Sequence, residues 1–97
     1  MDTYTDSTIK NIRILSYNSR GFDIVKQQFC SDLLTSHVSD HTIQILCNQE
    51  NFLLRSNKFK IKQALPGYTI TFKPAVKETL EGRPKNGMFI AGPKMIK

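Results

Sequence analysis

The stretch Ile12–Gly21, which reads IRILSYNSRG, decides the fold together with its counterpart Ile43–Glu50, which reads IQILCNQE. Each begins with a short, isoleucine-rich apolar run and ends abruptly in polar residues, a pattern that predicts a buried β-strand. A segment of helix length separates the two runs. We therefore expect a strand–helix–strand unit, whose right-handed crossover makes the two strands parallel neighbours. Asn18 and Glu50 would then emerge together at the carboxyl edge of the sheet, where α/β sheets place their ligand sites.

The intervening helix is predicted to begin after a cap at Asp23 and to run to about His37. Its apolar side chains recur at near-helical spacing and are expected to pack on the sheet as one stripe: Val25, Phe29, Cys30, Leu33 and Leu34. Cys30 and Cys47 both fall at apolar positions, which predicts two free, buried thiols in a reducing compartment.

The rest of the chain gives weaker signals. Residues 1–11 lack apolar periodicity and are predicted to form a disordered tail. Phe52-Leu53-Leu54 predicts a turn of helix that ends at Ser56 and Asn57. Tyr68–Phe72 alternates and is rich in β-formers, so we expect a third strand, paired as a hairpin with a fourth at Gly87–Ala91.

Three motifs in this order resemble a known family. Tyr17–Gly21 (YNSRG) is similar to the first motif of the endonuclease/exonuclease/phosphatase superfamily, and Gln49-Glu50 is similar to the second. Gly82–Ala91 (GRPKNGMFIA) resembles the Arg-x-x-Gly-Gly-hydrophobic strand of the non-LTR retrotransposon endonucleases, with Asn86 where the first glycine is usual. Asn tolerates a positive φ better than other non-glycine residues, so we expect the turn to be kept.

The resemblance implies a fold as well as an activity. Residues 12–97 would form the N-terminal half of a DNase I-like two-sheet α/β sandwich, with a mixed sheet that starts as a βαβ unit. Half a sandwich would leave an apolar sheet face open to water, so the missing C-terminal half of the domain is an expected partner. The other catalytic motifs of the family, including an Asp-x-Asn pair and a late Asp-His pair, would fall beyond residue 97.

The resemblance also implies roles for individual residues. Asn18 and Glu50 would be catalytic and would bind Mg²⁺ or Mn²⁺, since Mg²⁺ often needs only one or two carboxylates beside substrate phosphate. Gln49 would support them as a hydrogen-bonding neighbour. From their place in loops, three basic side chains are expected to contact the phosphates of a nucleic-acid backbone, with a solvated surface charge as the alternative for each: Arg20, Arg83 and Lys85.

Charge is distributed unevenly along the chain. Residues 1–51 contain four basic and six acidic side chains (−2), whereas residues 52–97 contain ten basic and two acidic ones (+8), which together give the net charge of +6. A surface of this kind favours a polyanionic partner through counterion release, and DNA is the expected one. Neither a signal peptide nor an apolar run long enough to cross a membrane is visible, which favours an intracellular location, with the nucleus as one option.

The sequence therefore predicts the N-terminal fragment of a Mg²⁺-dependent phosphodiesterase, most similar to the retrotransposon-type DNA endonucleases and catalytically silent by itself. Two alternatives stay open. One is a small basic nucleic-acid-binding module without catalysis. The other is a fragment of a phosphatase that acts on phosphorylated small molecules.

Overall fold

The computed structural model describes residues 11–36, 42–77, 82 and 84–94. Within them lie four strands, two α-helices and a short 3₁₀ turn. In chain order these are β1 (Asn11–Asn18), α1 (Ile24–Thr35), β2 (Thr42–Gln49), the 3₁₀ turn Arg55–Asn57, α2 (Lys58–Ala64), β3 (Tyr68–Lys73) and β4 (Met88–Pro93).

The four strands form one mixed sheet in the order β1-β2-β4-β3. β1 and β2 are parallel, in a register that pairs Ile12 with Ile43 and Asn18 with Gln49, as the strand–helix–strand pattern predicted. β4 runs antiparallel to both of its neighbours, so the predicted hairpin with β3 is confirmed. The protein is thus a small mixed α/β domain with a four-stranded sheet and two helices. Asn11 belongs to β1 rather than to the predicted tail, and residues 1–10 lie outside the described part.

Helix α1 begins as the sequence predicted, because the Asp23 carboxylate accepts a hydrogen bond from the Lys26 backbone N–H at 3.0 Å. It ends at Thr35, two residues before the predicted end at His37, which the structure does not describe. The buried Gln44 side chain of β2 donates to the carbonyl oxygens of Leu34 (2.8 Å) and Ser36 (2.7 Å). A strand residue therefore satisfies carbonyls that the end of the helix leaves unpaired.

The predicted apolar stripe on α1 was too wide. Cys30 and Leu34, four residues apart, are buried against the sheet, whereas Val25 is 72% exposed and Phe29 46% exposed. Side chains of neighbouring helix residues point about 100° apart. When Cys30 and Leu34 face the sheet, Val25 and Phe29 therefore point away from it. The Phe29 ring still contacts Tyr17 edge-on, with 4.8 Å between the ring centroids.

The helix predicted at Phe52-Leu53-Leu54 is wrong. Phe52 has a left-handed φ of 61°, which is incompatible with a right-handed helix, and the helix forms later, at Lys58–Ala64. Ile61 anchors this helix in the core with no exposed surface.

The two faces of the sheet differ sharply. Leu46, Phe89 and Ala91 are fully buried on the face that the helices cover. On the opposite face Ile12 is 64% and Ile14 67% exposed, so this face of the sheet is open to solvent. In the described residues, neither helix has the length and apolar character that a membrane crossing requires.

Candidate functional site

The candidate site lies where β1 and β2 end at the carboxyl edge of the sheet. Asn18 is the last residue of β1, and Glu50 directly follows β2. The Asn18 amide nitrogen, Nδ2, donates a hydrogen bond to Oε2 of Glu50. The structure therefore brings together the two side chains that the sequence placed at a common edge.

The backbone around these two residues is held by hydrogen bonds between the two loops. The Ser19 N–H donates to the Gln49 carbonyl oxygen (3.0 Å), and the Gly21 N–H donates to that of Glu50 (2.8 Å). Glu50 itself has a positive φ of 54°, and so does Arg20, at 49°. A non-glycine residue in this region costs of the order of 1–2 kcal/mol, so these hydrogen bonds stabilise Glu50 in a conformation that it would rarely adopt alone.

A buried amide cluster, formed by Ser19, Asn48 and Asn51, lies directly beneath the site. Asn48 Nδ2 donates to Ser19 Oγ (2.9 Å) and to the Tyr17 carbonyl oxygen (3.2 Å). Asn51 Nδ2 donates to Asn48 Oδ1 (3.0 Å), while Asn51 Oδ1 accepts from the Leu53 N–H (3.0 Å). Asn48 and Asn51 are at most 1% exposed, and of these bonds only the one to the Tyr17 carbonyl oxygen is partly open to water. The cluster ties the loop after β1 to the loop after β2.

The segment before β4 contacts the loop that follows Glu50. The N–H of Asn51 donates to the carbonyl oxygen of Gly87 (3.2 Å), and the N–H of Phe52 donates to that of Asn86 (3.0 Å). Asn86 has a φ of 69°, which confirms the expectation that Asn would keep the turn in the place of glycine. All three motifs of the sequence therefore meet around Glu50.

Gln49 does not take the position that the sequence predicted. Its side chain points to the open face of the sheet, where Nε2 donates to Ser16 Oγ at 3.2 Å. Side chains alternate along a strand, so Gln49 and the buried Asn48 must face opposite sides. Only the backbone carbonyl of Gln49 reaches the site, through the N–H of Ser19. The side chain of Asn51, which the sequence did not single out, bonds to Asn48 and to the Leu53 N–H in the loop that follows Glu50.

The basic residues predicted to contact phosphate are placed as follows. Arg20 is exposed, and its carbonyl oxygen accepts a hydrogen bond from Lys26 Nζ at 2.8 Å, which brings a cation that the sequence did not identify to the loop of Asn18. Lys85 is exposed and is held by a pair of backbone hydrogen bonds with Val76, of 2.8 and 2.9 Å. Arg83 lies outside the described residues.

The chemistry available at the site is that of one carboxylate beside one amide. Within the described ranges, no three His, Cys, Asp or Glu side chains lie close enough together to hold a metal ion jointly. Burial, followed by the nearby Cys30 and Asp23, raises the pKa of Tyr17. Glu50 and the Asn18 amide can thus supply oxygen ligands of the kind that Mg²⁺ prefers, but only part of a coordination sphere.

Comparison of the chain with protein-family models, with curated proteins and with solved structures finds no match. The class of protein is therefore described from its own fold and candidate site. It is a small mixed α/β domain with a carboxylate–amide pair at the carboxyl edge of its parallel strands.

Proposed function

We propose that this chain is the N-terminal part of a Mg²⁺-dependent phosphodiesterase of the endonuclease/exonuclease/phosphatase superfamily, most similar to the DNA endonucleases of non-LTR retrotransposons. The observation that carries the proposal is the contact between Asn18 and Glu50 at the sheet edge. It is supported by the parallel βαβ start, and by the approach of the Asn86-Gly87 turn to the loop that follows Glu50.

Glu50 and Asn18 are the residues that would hold a Mg²⁺ or Mn²⁺ ion. When bound, such an ion polarises the scissile phosphoryl group and stabilises the charge that develops on it. Asn18 orients the Glu50 carboxylate by its hydrogen bond, and the buried amide cluster fixes the backbone that carries Glu50. The chain's own contribution is therefore a preorganised carboxylate.

A single carboxylate lacks a partner to activate water or to protonate the leaving group. In this proposal those groups belong to the C-terminal half of the domain, which would also cover the open sheet face of Ile12, Ile14 and Ile90. The chain alone is then catalytically silent.

A second candidate is a nucleic-acid-binding module without catalysis. It is favoured by residues 51–77, which contain six basic and no acidic side chains. The two candidates differ in whether Glu50 binds a metal ion.

Manganese binding, followed by water-proton relaxation, tests the proposal on the complete chain. We expect Glu50→Gln to weaken Mn²⁺ binding by at least about tenfold, because it removes a carboxylate ligand. Asp32→Asn is the matched control, since Asp32 is an exposed carboxylate on α1 that accepts a hydrogen bond from Gln28. Equal binding by the two variants would contradict a metal site at Glu50. Plasmid nicking by the chain with Mg²⁺, abolished by Glu50→Gln, would contradict its silence.

A further inference from the structure

The outward face of α2 combines an exposed aromatic ring with a group of cations. Phe59 is 51% exposed, although the helix also contains the fully buried Ile61. At about 100° per residue, Phe59 lies almost opposite Ile61, at the centre of the outward face. Lys62 lies one turn further along the same face, and Lys58 and Lys60 flank Phe59 on either side.

The cations of this surface have no acidic neighbours along the chain. Every position between Glu50 and Glu78 is neutral or basic, and Arg55 in the preceding 3₁₀ turn adds a further exposed charge. Helix α2 packs against α1. The carboxylate of Asp23, the cap of α1, accepts from the Lys26 N–H, and that of Asp32 in α1 accepts from Gln28 Nε2. On the α2 face, Arg55 and Lys62 are exposed and Lys58 and Lys60 are half-buried, so solvent reaches all four charges.

We propose that the outward face of α2 binds a single nucleic-acid strand. An unpaired base stacks on the ring of Phe59, and the phosphates on either side pair with Arg55, Lys58 and Lys62. Stacking platforms set among cations are how proteins hold single strands without reading their sequence. If this face served only to keep the protein soluble, the charges would be sufficient. The half-exposed Phe59 adds apolar surface and so requires a different explanation.

This inference is independent of the proposed metal site, and it names a surface and a ligand for the second candidate, the nucleic-acid-binding module. None of the α2 residues belongs to the carboxylate–amide pair, and the binding requires no metal ion. The two proposals therefore fail separately.

The first test measures the charges. The anisotropy of a labelled oligothymidylate is followed in EDTA between about 50 and 200 mM salt, where counterion release dominates. We compare the triple variant Arg55→Gln, Lys58→Gln, Lys62→Gln with a control triple that removes the same charge from exposed positions elsewhere: Lys73→Gln, Lys77→Gln and Lys94→Gln. With a slope of about 0.7 per neutralised phosphate of a single strand, the α2 triple should flatten the salt dependence by about 2. If the two triple variants flatten the salt dependence equally, the binding depends on the net charge of the protein and not on the α2 face, and the proposal is overturned.

The second test measures the ring. Phe59→Ala should weaken oligothymidylate binding by about tenfold, within the range of base–aromatic stacking, without changing the salt slope. Phe59→Tyr keeps a ring and should restore the affinity, which separates stacking from any loss of structure. The same substitutions should leave a blunt duplex unaffected, because its bases are already stacked. Unchanged single-strand binding by Phe59→Ala, or polyglutamate binding with the same dependence on the variants, would overturn the proposal.

Discussion

Gly87 is the residue on which the packing beneath the candidate site most depends. Its φ of 85° lies in the left-handed region. A Cβ atom there would overlap Asn51 Oδ1 and would lie 3.2 Å from both Ala75 Cβ and the Phe52 nitrogen. Gly67 has nearly the same φ, 86°, but no atom within 4 Å of its virtual Cβ. The two glycines therefore separate backbone strain from crowding.

We expect Gly87→Ala to destabilise the protein more than Gly67→Ala does. Both variants place a side chain at a positive φ, at a cost of about 1–2 kcal/mol. Gly87→Ala also displaces the Asn51 amide and leaves buried hydrogen-bonding groups unsatisfied, which adds about 1–3 kcal/mol. Urea unfolding of both variants measures the difference. Equal free energies of unfolding would show that Asn51 is not fixed by Gly87.

The two cysteines should differ in reactivity. Cys30 has no exposed surface, and burial raises the pKa of its thiol from 9.0 to about 11, while Cys47 is half-buried on the open face of the sheet. A thiolate is the reactive form, so Cys30 should resist a disulfide reagent at pH 8 while Cys47 reacts. Single-cysteine variants, Cys30→Ala and Cys47→Ala, assign the two rates. Fast labelling of Cys30 without denaturant would contradict the packing of α1 on the sheet.

The same burial makes stability depend on alkaline pH. The folded state holds the Cys30 proton more tightly than the unfolded chain, so this contribution is complete below about pH 9 and is lost as pH rises through about 11. We therefore expect the free energy of unfolding to fall less steeply across this range in Cys30→Ala than in the wild type.

At the scale of the elements, local patterns predicted what local forces determine. The isoleucine-rich runs with abrupt polar ends correctly predicted the strands β1 and β2, and Asp23 correctly predicted the start of α1. Their parallel pairing followed from the helix that connects them, because a helical crossover is the usual connection between parallel neighbours. The meeting of Asn18 and Glu50 was predictable for the same reason.

The elements that were mispredicted depend on distant partners. The left-handed Phe52 is held by the carbonyl oxygen of Asn86, which lies 34 positions further along the chain, so an apolar triplet of helical composition cannot form a helix there. The exposure of Val25 depends on which side of α1 packs against the sheet. Two adjacent sides of the helix are apolar, and spacing alone does not predict which of them is buried. Tertiary contacts decided both outcomes.

One feature of the sequence indicates the buried amide cluster. Gln44, Leu46 and Asn48 alternate along β2 and so share the face that α1 covers. An amide at such a position needs buried partners, and the Asn48–Asn51 hydrogen bond provides one. A polar residue on the apolar side of a strand, close to its carboxyl end, therefore indicates a structured loop beyond it.

At the scale of the whole molecule, the hydrophobic core that the described residues form lies on one side of the sheet. Leu46 and Phe89 are fully buried beneath the helices, whereas Ile12 and Ile14 face solvent. Burial of an apolar side chain contributes to stability roughly in proportion to the area removed from water. The two faces of the sheet should therefore contribute unequally to folding of this chain.

Substitutions of matched kind on the two faces test this asymmetry. Leu46→Ala should destabilise the protein by about 2–5 kcal/mol, because it opens a cavity in the covered face. Ile14→Ala, at a position that is 67% exposed, should cost less than about 1 kcal/mol, the span of strand propensity. Binding of a hydrophobic dye should fall in Ile14→Ala without a loss of stability. If Ile14→Ala costs as much as Leu46→Ala, the open face is covered in solution, and sedimentation of the wild type at several concentrations would then show whether a second copy of the chain covers it.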